Sequence, residues 1–477
     1  MMGIRIVCLL ALIFTSLIAL TGCNTGSDGA APSSTQSSPT VQVRVWISVE
    51  TLGGTIGTDP DIIFTRSTDG GATWSDAAAL NTTATTDSDT SGNYIALGTN
   101  GKGTWIAVWD SNDDLGATIG ADQDLLFARS TDDGATWSDP AALNSNAGTD
   151  SGGDNYPELL SDGNGNWVAV WQSNENIDTS GTDQDIIFAR SIDNGATWSA
   201  PAVLNSNAGA DDPLSNDNHP VLATDGQGNW GVAWVAARSF GTDMDVFFSM
   251  SMDGGASWGT AVTVNDAATD SANDGNPVLR TDGQGNWVVA WDSIENVGGT
   301  IGVDHDILFV HSVDNGQNWT SPAALNTNAT SDSGTDSDVS IATNGSTQWM
   351  AVWTSNENLG GAIGTDDDIL FATSSDGGAS WSAPAALNSN ADTDSGTDQF
   401  STLSTDKNGN WVAGWESNED LVATPGDPGD IGSDWDALFA KSSNAGTTWS
   451  VPAMLNSYAE SDTTGDDLWT VVGVSVP

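Results

Sequence analysis

The octet Ser-x-Asp-x-Gly-x-(Thr/Ser/Asn)-Trp returns seven times, ending at Trp74, Trp137, Trp198, Trp258, Trp319, Trp381 and Trp449, with Asn444 replacing the Asp in the last copy. Successive tryptophans lie roughly 60 to 68 residues apart. A period of this size marks a chain built from one supersecondary unit. Such a unit cannot bury its apolar faces alone and must stack against copies of itself.

The stretch from Tyr156 to Asn205 shows the unit. Pro157 to Asp162 is a short apolar segment, Gly163 to Gly165 a turn, and Asn166 to Trp171 a run of aromatic and β-branched residues that predicts a strand. A loop leads to Ile186–Ser191, a third strand; Asp193-Asn194-Gly195 then turns the chain into a fourth, expected over Trp198 to Leu204. Four short antiparallel strands with tight inner turns make a propeller blade. The first unit opens at Val43-Arg44-Val45-Trp46, which matches a second strand, and Leu468-Trp469-Thr470-Val471-Val472 supplies the missing first one. The expectation is an all-β, seven-bladed β-propeller over residues 41–477, closed by the C-terminal strand so that no sheet edge is left open.

On the octets Ser67 to Trp74 and their six echoes, the chain resembles the Asp-box, or bacterial neuraminidase repeat, family over nearly all of residues 41–477. In that family the box is a turn whose Asp caps backbone N–H groups while the Trp packs beneath it. The resemblance therefore gives Asp69, Asp132, Asp193, Asp253, Asp314, Asp376 and Asn444 a structural role and no catalytic one. It also raises sialidase activity, which in such enzymes uses three Arg on the substrate carboxylate, a Tyr–Glu nucleophile pair and an acid–base Asp. Arg66, Arg129 and Arg190 recur at one repeat position ahead of the boxes, and Arg44, Arg238 and Arg280 occupy three different ones. No Arg-Ile-Pro signature is present. A sialidase-like propeller that binds a glycan or protein ligand without catalysis is the expectation; an exo-acting, sialidase-like glycoside hydrolase is the alternative.

The chain carries 64 acidic and 10 basic residues, a net charge of −54. Nucleic acid is excluded as a partner by repulsion. A basic start and an apolar run over Ile6 to Leu20 read as a signal peptide of residues 1–22, too short for a membrane span. Leu20-Thr21-Gly22-Cys23 resembles the lipobox of bacterial lipoproteins, which implies acylation of Cys23 and a lipid bilayer partner at the cell envelope, outer membrane or cell surface. Residues 23–40, rich in Ser, Thr, Gly and Pro, then form a flexible tether.

Two sets of residues are candidates for function. Each third strand is entered through Asp-x-Asp, at Asp59/Asp61, Asp122/Asp124, Asp183/Asp185, Asp243/Asp245, Asp304/Asp306, Asp366/Asp368 and Asp434/Asp436. Residues i and i+2 share a side of a strand, so each pair presents two hard oxygen ligands suited to Ca²⁺; the alternative is that these Asp simply cap backbone. The innermost strand places Tyr94, Tyr156, His219, Asn276, Asp338, Phe400 and Trp469 at one repeat position. These vary from blade to blade, as a ligand ring at a channel mouth would. Arg238 adds a lone cation where other blades carry an acid, a candidate anchor for a carboxylate.

Overall fold

The computed structural model describes residues 41–48, 52, 54–57, 59–69, 73–87, 94–177, 180–205, 216–237, 243–265, 272–393, 395–419, 435–454 and 471–474. The expected leader and tether of residues 1–40 with Cys23, together with Arg238, Asp434 and Trp469, lie outside them. Seven four-stranded antiparallel sheets make a propeller. Blade one holds Val471–Val474, Gln42–Ser48, Asp61–Ser67 and Ala78–Ala79, so the C-terminal strand closes the ring, with Gln42 opposite Val474 and Val45 opposite Val471. Blade two runs from Ile95–Thr99 through Trp105–Ser111 and Asp124–Ser130 to Ala141–Ala142. Blades three to seven repeat it, their first strands being Asp154–Ser161, Asp217–Thr224, Asp274–Thr281, Asp336–Thr343 and Asp398–Thr405. First strands touch those of neighbouring blades and so line the central channel.

The second strand carries the core because both of its faces are covered. In Trp287–Ser293, Trp287, Val289 and Trp291 pack with Val235 and Val246 of blade four. Val288 and Ala290 point the other way, into a cluster with Trp349 and Trp353 of blade six. A strand wedged between two blades must be apolar at every position, which explains the unbroken runs seen in the sequence. Gly231 shows how tight the joint is: a Cβ there would stand 2.7 Å from the Trp287 ring and 2.9 Å from Phe248.

The box tryptophans fasten the same joints from the rim. Trp198 meets Phe127 of the preceding blade edge-on at 6.1 Å, and Trp258 meets Phe188 at 5.8 Å. Inside the box Asp193 accepts from the Thr197 N–H at 2.9 Å and the Thr197 hydroxyl at 2.7 Å. The Thr197 hydroxyl, then its N–H, holds the Asp193 carboxyl at about 2. Asn444 makes the same acceptor bond, to the Thr448 N–H at 3.0 Å. Two of the repeated arginines are also structural: Arg66 and Arg129 donate Nε to the carbonyls of Asp133 and Asn194, in the box of the next blade, at 2.6 and 2.7 Å.

The fourth strand is shorter than expected, Ala202–Val203 rather than Trp198 to Leu204. Ser199 Oγ takes the Arg190 N–H at 3.0 Å, and Pro201 has no N–H to offer a ladder. Side-chain bonding therefore replaces the first half of the strand.

Glu158 of blade three and Arg280 of blade five interact electrostatically although blade four separates them, so the interaction crosses the channel. Burial pushes the Glu158 carboxyl from 4.5 up to about 7, against the pull of Arg280.

Two outcomes follow from this packing. Trp287→Ala should cost about 3–5 kcal/mol in urea unfolding through the cavity it leaves. Because the folded pKa of Glu158 lies above its unfolded value, its contribution is fully present below pH 4.5 and lost as pH rises through about 7. Glu158→Gln should therefore match the parent near pH 4.5 and exceed it at pH 8 by about 3 kcal/mol. Thermal melts of both proteins across that range read the difference.

Candidate functional site

The boxes join third to fourth strands, so the loops after the second and fourth strands lie at the opposite end of each blade. That end also carries the start of every first strand, where the channel opens. In blades three to seven the first strand slips register by a bulge, between Asn155 and Glu158, Asn218 and Val221, Gly275 and Val278, Ser337 and Ser340, and Gln399 and Thr402. Each bulge holds one of the varying residues in the left-handed region: Tyr156 at φ 55°, His219 at 52°, Asn276 at 47°, Asp338 at 54° and Phe400 at 54°. A side chain in that region costs about 1–2 kcal/mol. His, Asn and Asp tolerate it best, and Tyr and Phe do not. Bulges re-aim side chains, and these five recur at the start of strands that line the channel.

The mouth is not uniform. Tyr94 and Tyr156 stack with centroids 3.7 Å apart and share a hydrogen bond between hydroxyls. His219 meets Tyr156 edge-on at 4.8 Å, which makes an aromatic arc over blades two to four. Asn276 and Asp338 continue it as a polar arc over blades five and six, and Phe400 follows in blade seven.

A second tier lies beneath and was not read from the sequence. Asp110 accepts the Tyr94 N–H at 2.7 Å and bonds Gln123, Gln172 accepts the His219 N–H at 3.1 Å, and Asp292 accepts from Asn276 Nδ2 at 2.6 Å. All three follow the second Trp of their strand, a position that alternates between Asp, Gln, Val, Thr and Glu. That variation at a buried position was the available signal.

The Asp-x-Asp pairs sit at the same end. The second member, Asp61, Asp124, Asp185, Asp245, Asp306, Asp368 or Asp436, is at most 1% exposed and begins the third strand, except that Met244 precedes Asp245 in blade four. In six blades it accepts from a buried Asn that follows the fourth strand, at 2.9 Å from Asn81, 2.7 Å from Asn144 and 2.8 Å from Asn205, with Asn265, Asn326 and Asn388 repeating the bond. The same amide reaches the Asp that opens the next blade, as from Asn144 to Asp154 at 2.8 Å and from Asn326 to Asp336 at 2.7 Å. None of these asparagines was singled out by the sequence reading.

Two of the pairs gather a third carboxylate that sequence reasoning also missed. Oxygens of Asp122, Asp124 and Asp150 lie within 4.8 Å of one another, as do those of Asp304, Asp306 and Asp332. Burial, reinforced by the neighbouring carboxylates, pushes Asp124 and Asp306 up to about 7. Asp150 and Asp332 are pushed to about 6 for the same reasons. These clusters have the donor chemistry to hold a metal ion. At Asp59/Asp61, Asp183/Asp185 and Asp366/Asp368 no third carboxylate joins the pair among the described residues. The acids four residues beyond the second Trp have another use: Glu175 accepts the Gly152 N–H at 3.0 Å, and Glu419 the Gly396 N–H at 2.8 Å.

No family profile matches the chain. A sialidase from Bacteroides fragilis (strain YCH46) is 33% identical over 124 residues, which is 22% of this chain and 23% of that protein. The match thus spans under a quarter of the relative's length. Among solved structures, a PL25 ulvan lyase superposes with a TM-score of 0.48 at 13% identity, over 83% of this chain and 89% of that one. The leech intramolecular trans-sialidase superposes with a TM-score of 0.43 at 12% identity, over 73% and 68%. The chain is thus a seven-bladed β-propeller with one box on each blade, and a stretch of it is similar to a sialidase.

Proposed function

We propose that this propeller is a non-catalytic module that binds a glycan at its channel mouth and is held at the bacterial cell envelope by an acylated Cys23. The observation that carries the reading is the set of five left-handed bulge residues at the start of the channel-lining strands. Fold stability alone gives no reason to place Tyr and Phe there, since Gly would adopt the same backbone without strain. The aromatic arc of Tyr94, Tyr156 and His219 offers apolar ring faces, and the polar arc of Asn276 and Asp338 offers hydroxyl partners. This is the mixture a sugar demands. Local similarity to a sialidase supports a glycan over a protein ligand. For the acidic clusters the fitting ion is Ca²⁺, which takes several hard oxygen ligands.

On an array of sialylated and neutral glycans the full chain should be retained without releasing a terminal sugar. Release would move it to the exo-acting glycoside hydrolases, and absence of retention sinks the glycan reading. His219→Gly should weaken retention at least tenfold. Its stability should change by less than about 1 kcal/mol, because relief of the left-handed strain offsets the lost ring contact. Cys23→Ser should abolish incorporation of labelled palmitate; continued labelling refutes the anchor.

A further inference from the structure

We propose that blades two and five each bind one Ca²⁺ at the joint to the next blade, through Asp122, Asp124, Asn146 and Asp150 in the first and the matching Asp304, Asp306, Asn328 and Asp332 in the second. The assignment rests on the Ca²⁺ reading above and gives it a ligand set.

Three carboxylates alone would not define a site. What defines it is a set of buried oxygens that nothing else satisfies. Asp124 is 0% exposed, and its Oδ2 has no hydrogen-bond partner among the described residues. The same holds for Asp122 Oδ2, Asp150 Oδ1 and Asn146 Oδ1, each of them shielded from solvent. Blade five repeats the pattern atom for atom, with Asp306 at 1% exposed and unpartnered oxygens on Asp304, Asn328 and Asp332.

The available donors are already spent. Asn144 Nδ2 has two hydrogens and stands 2.7, 3.3 and 2.8 Å from Asp124, Asp150 and Asp154. Asn146 turns its own Nδ2 to Asp150 Oδ2 at 2.7 Å, which leaves its Oδ1 as an acceptor with nothing to accept. A protonated carboxyl would become an O–H donor and serve one of these oxygens at a time; a cation meets the carboxylates and the amide oxygen together. The chain also bends to bring the first Asp in: Gly302 has φ +98°, and a Cβ there would stand 2.5 Å from Asp304 Oδ1.

An all-oxygen set of three carboxylates and one amide suits a hard divalent ion, and four protein ligands favour Ca²⁺ over Mg²⁺, which keeps several of its waters and takes one or two carboxylates. The sequence repeats the whole signature in two further blades, as Asn205, Asn207 and Asp211 and as Asn388, Asn390 and Asp394. Thr83, Ala267 and Tyr458 replace the middle Asn in blades one, four and seven.

The test is calorimetric titration of the EDTA-stripped full chain with CaCl₂ alone, beside thermal melts. At least two equivalents should bind and raise the Tm, with MgCl₂ far weaker. The double variant Asp122→Asn, Asp304→Asn should lose two equivalents while its metal-free form melts no lower than the parent, because a repulsion has been removed. Asn146→Asp with Asn328→Asp should do the reverse, binding Ca²⁺ at least tenfold more tightly and melting lower without it. A gain in affinity cannot arise from misfolding. Absence of heat overturns both the Ca²⁺ reading and these sites. Calcium binding that both double variants leave unchanged spares the reading and overturns the sites, and an equal response to MgCl₂ overturns the choice of ion.

Discussion

A buried amide holds the blades in sequence. Asn144 Oδ1 accepts the Leu125 N–H of its own blade at 3.2 Å, and its Nδ2 donates to Asp124 of that blade and Asp154 of the next. Only an amide offers an acceptor and two donors on so short a stem. An Asp in its place would set a third carboxylate against two others, and a Leu would take the amide donor from both buried carboxylates, at a cost of a few kcal/mol. The tryptophans and their apolar neighbours pack the blades together. These contacts are non-directional, however, and would allow blades to slide. The Asn–Asp–Asp bond is directional and fixes how far each blade is advanced on the one before.

That interaction explains why the acidic composition is compatible with a packed ring. Many of the Asp residues are not a solvated coat. The Asp-box Asp caps backbone at the rim, the second Asp of each pair is bonded to Asn at the other end, and Glu175 and Glu419 accept backbone N–H groups. Negative charge is distributed over hydrogen-bond donors that the fold itself provides. Where the donors run short, in blades two and five, oxygens are left over.

How much of this was legible in the sequence depended on whether a residue's role shows as periodicity. The boxes, the tryptophan pairs and the closing strand follow a fixed period, and the structure places them as the period demands. The varying ring at Tyr94, Tyr156, His219, Asn276, Asp338 and Phe400 was also readable, because variation at one register position stands out against a regular repeat. Its left-handed backbone was not, since no residue type there is a glycine. The asparagine after the fourth strand is just as periodic as the boxes, but Leu-Asn ahead of a Ser/Thr/Gly-rich loop looks like turn chemistry. Its partners lie 20 residues back and 10 residues ahead, and only the folded ring brings them together. The fourth strand was overdrawn because a hydroxyl bond such as that of Ser199 leaves no trace in a hydropathy pattern.

The two features at the open end of the ring are not independent. Asp154, which accepts from Asn144, stands two residues before Tyr156, and the same interval separates Asp217 from His219, Asp274 from Asn276, Asp336 from Asp338 and Asp398 from Phe400. One residue lies between the carboxylate that fixes the blade and the strained residue that faces the mouth. A bulge held in a left-handed conformation persists only where its flanks are pinned. In blade three it is pinned on one side by the bond of Asp154 to Asn144 and on the other by the pairing of Glu158 with Val170. The bond that aligns the blades therefore also sets the aim of the ring, so any charge that tightens or loosens the Asn–Asp cluster acts on the mouth through a lever one residue long.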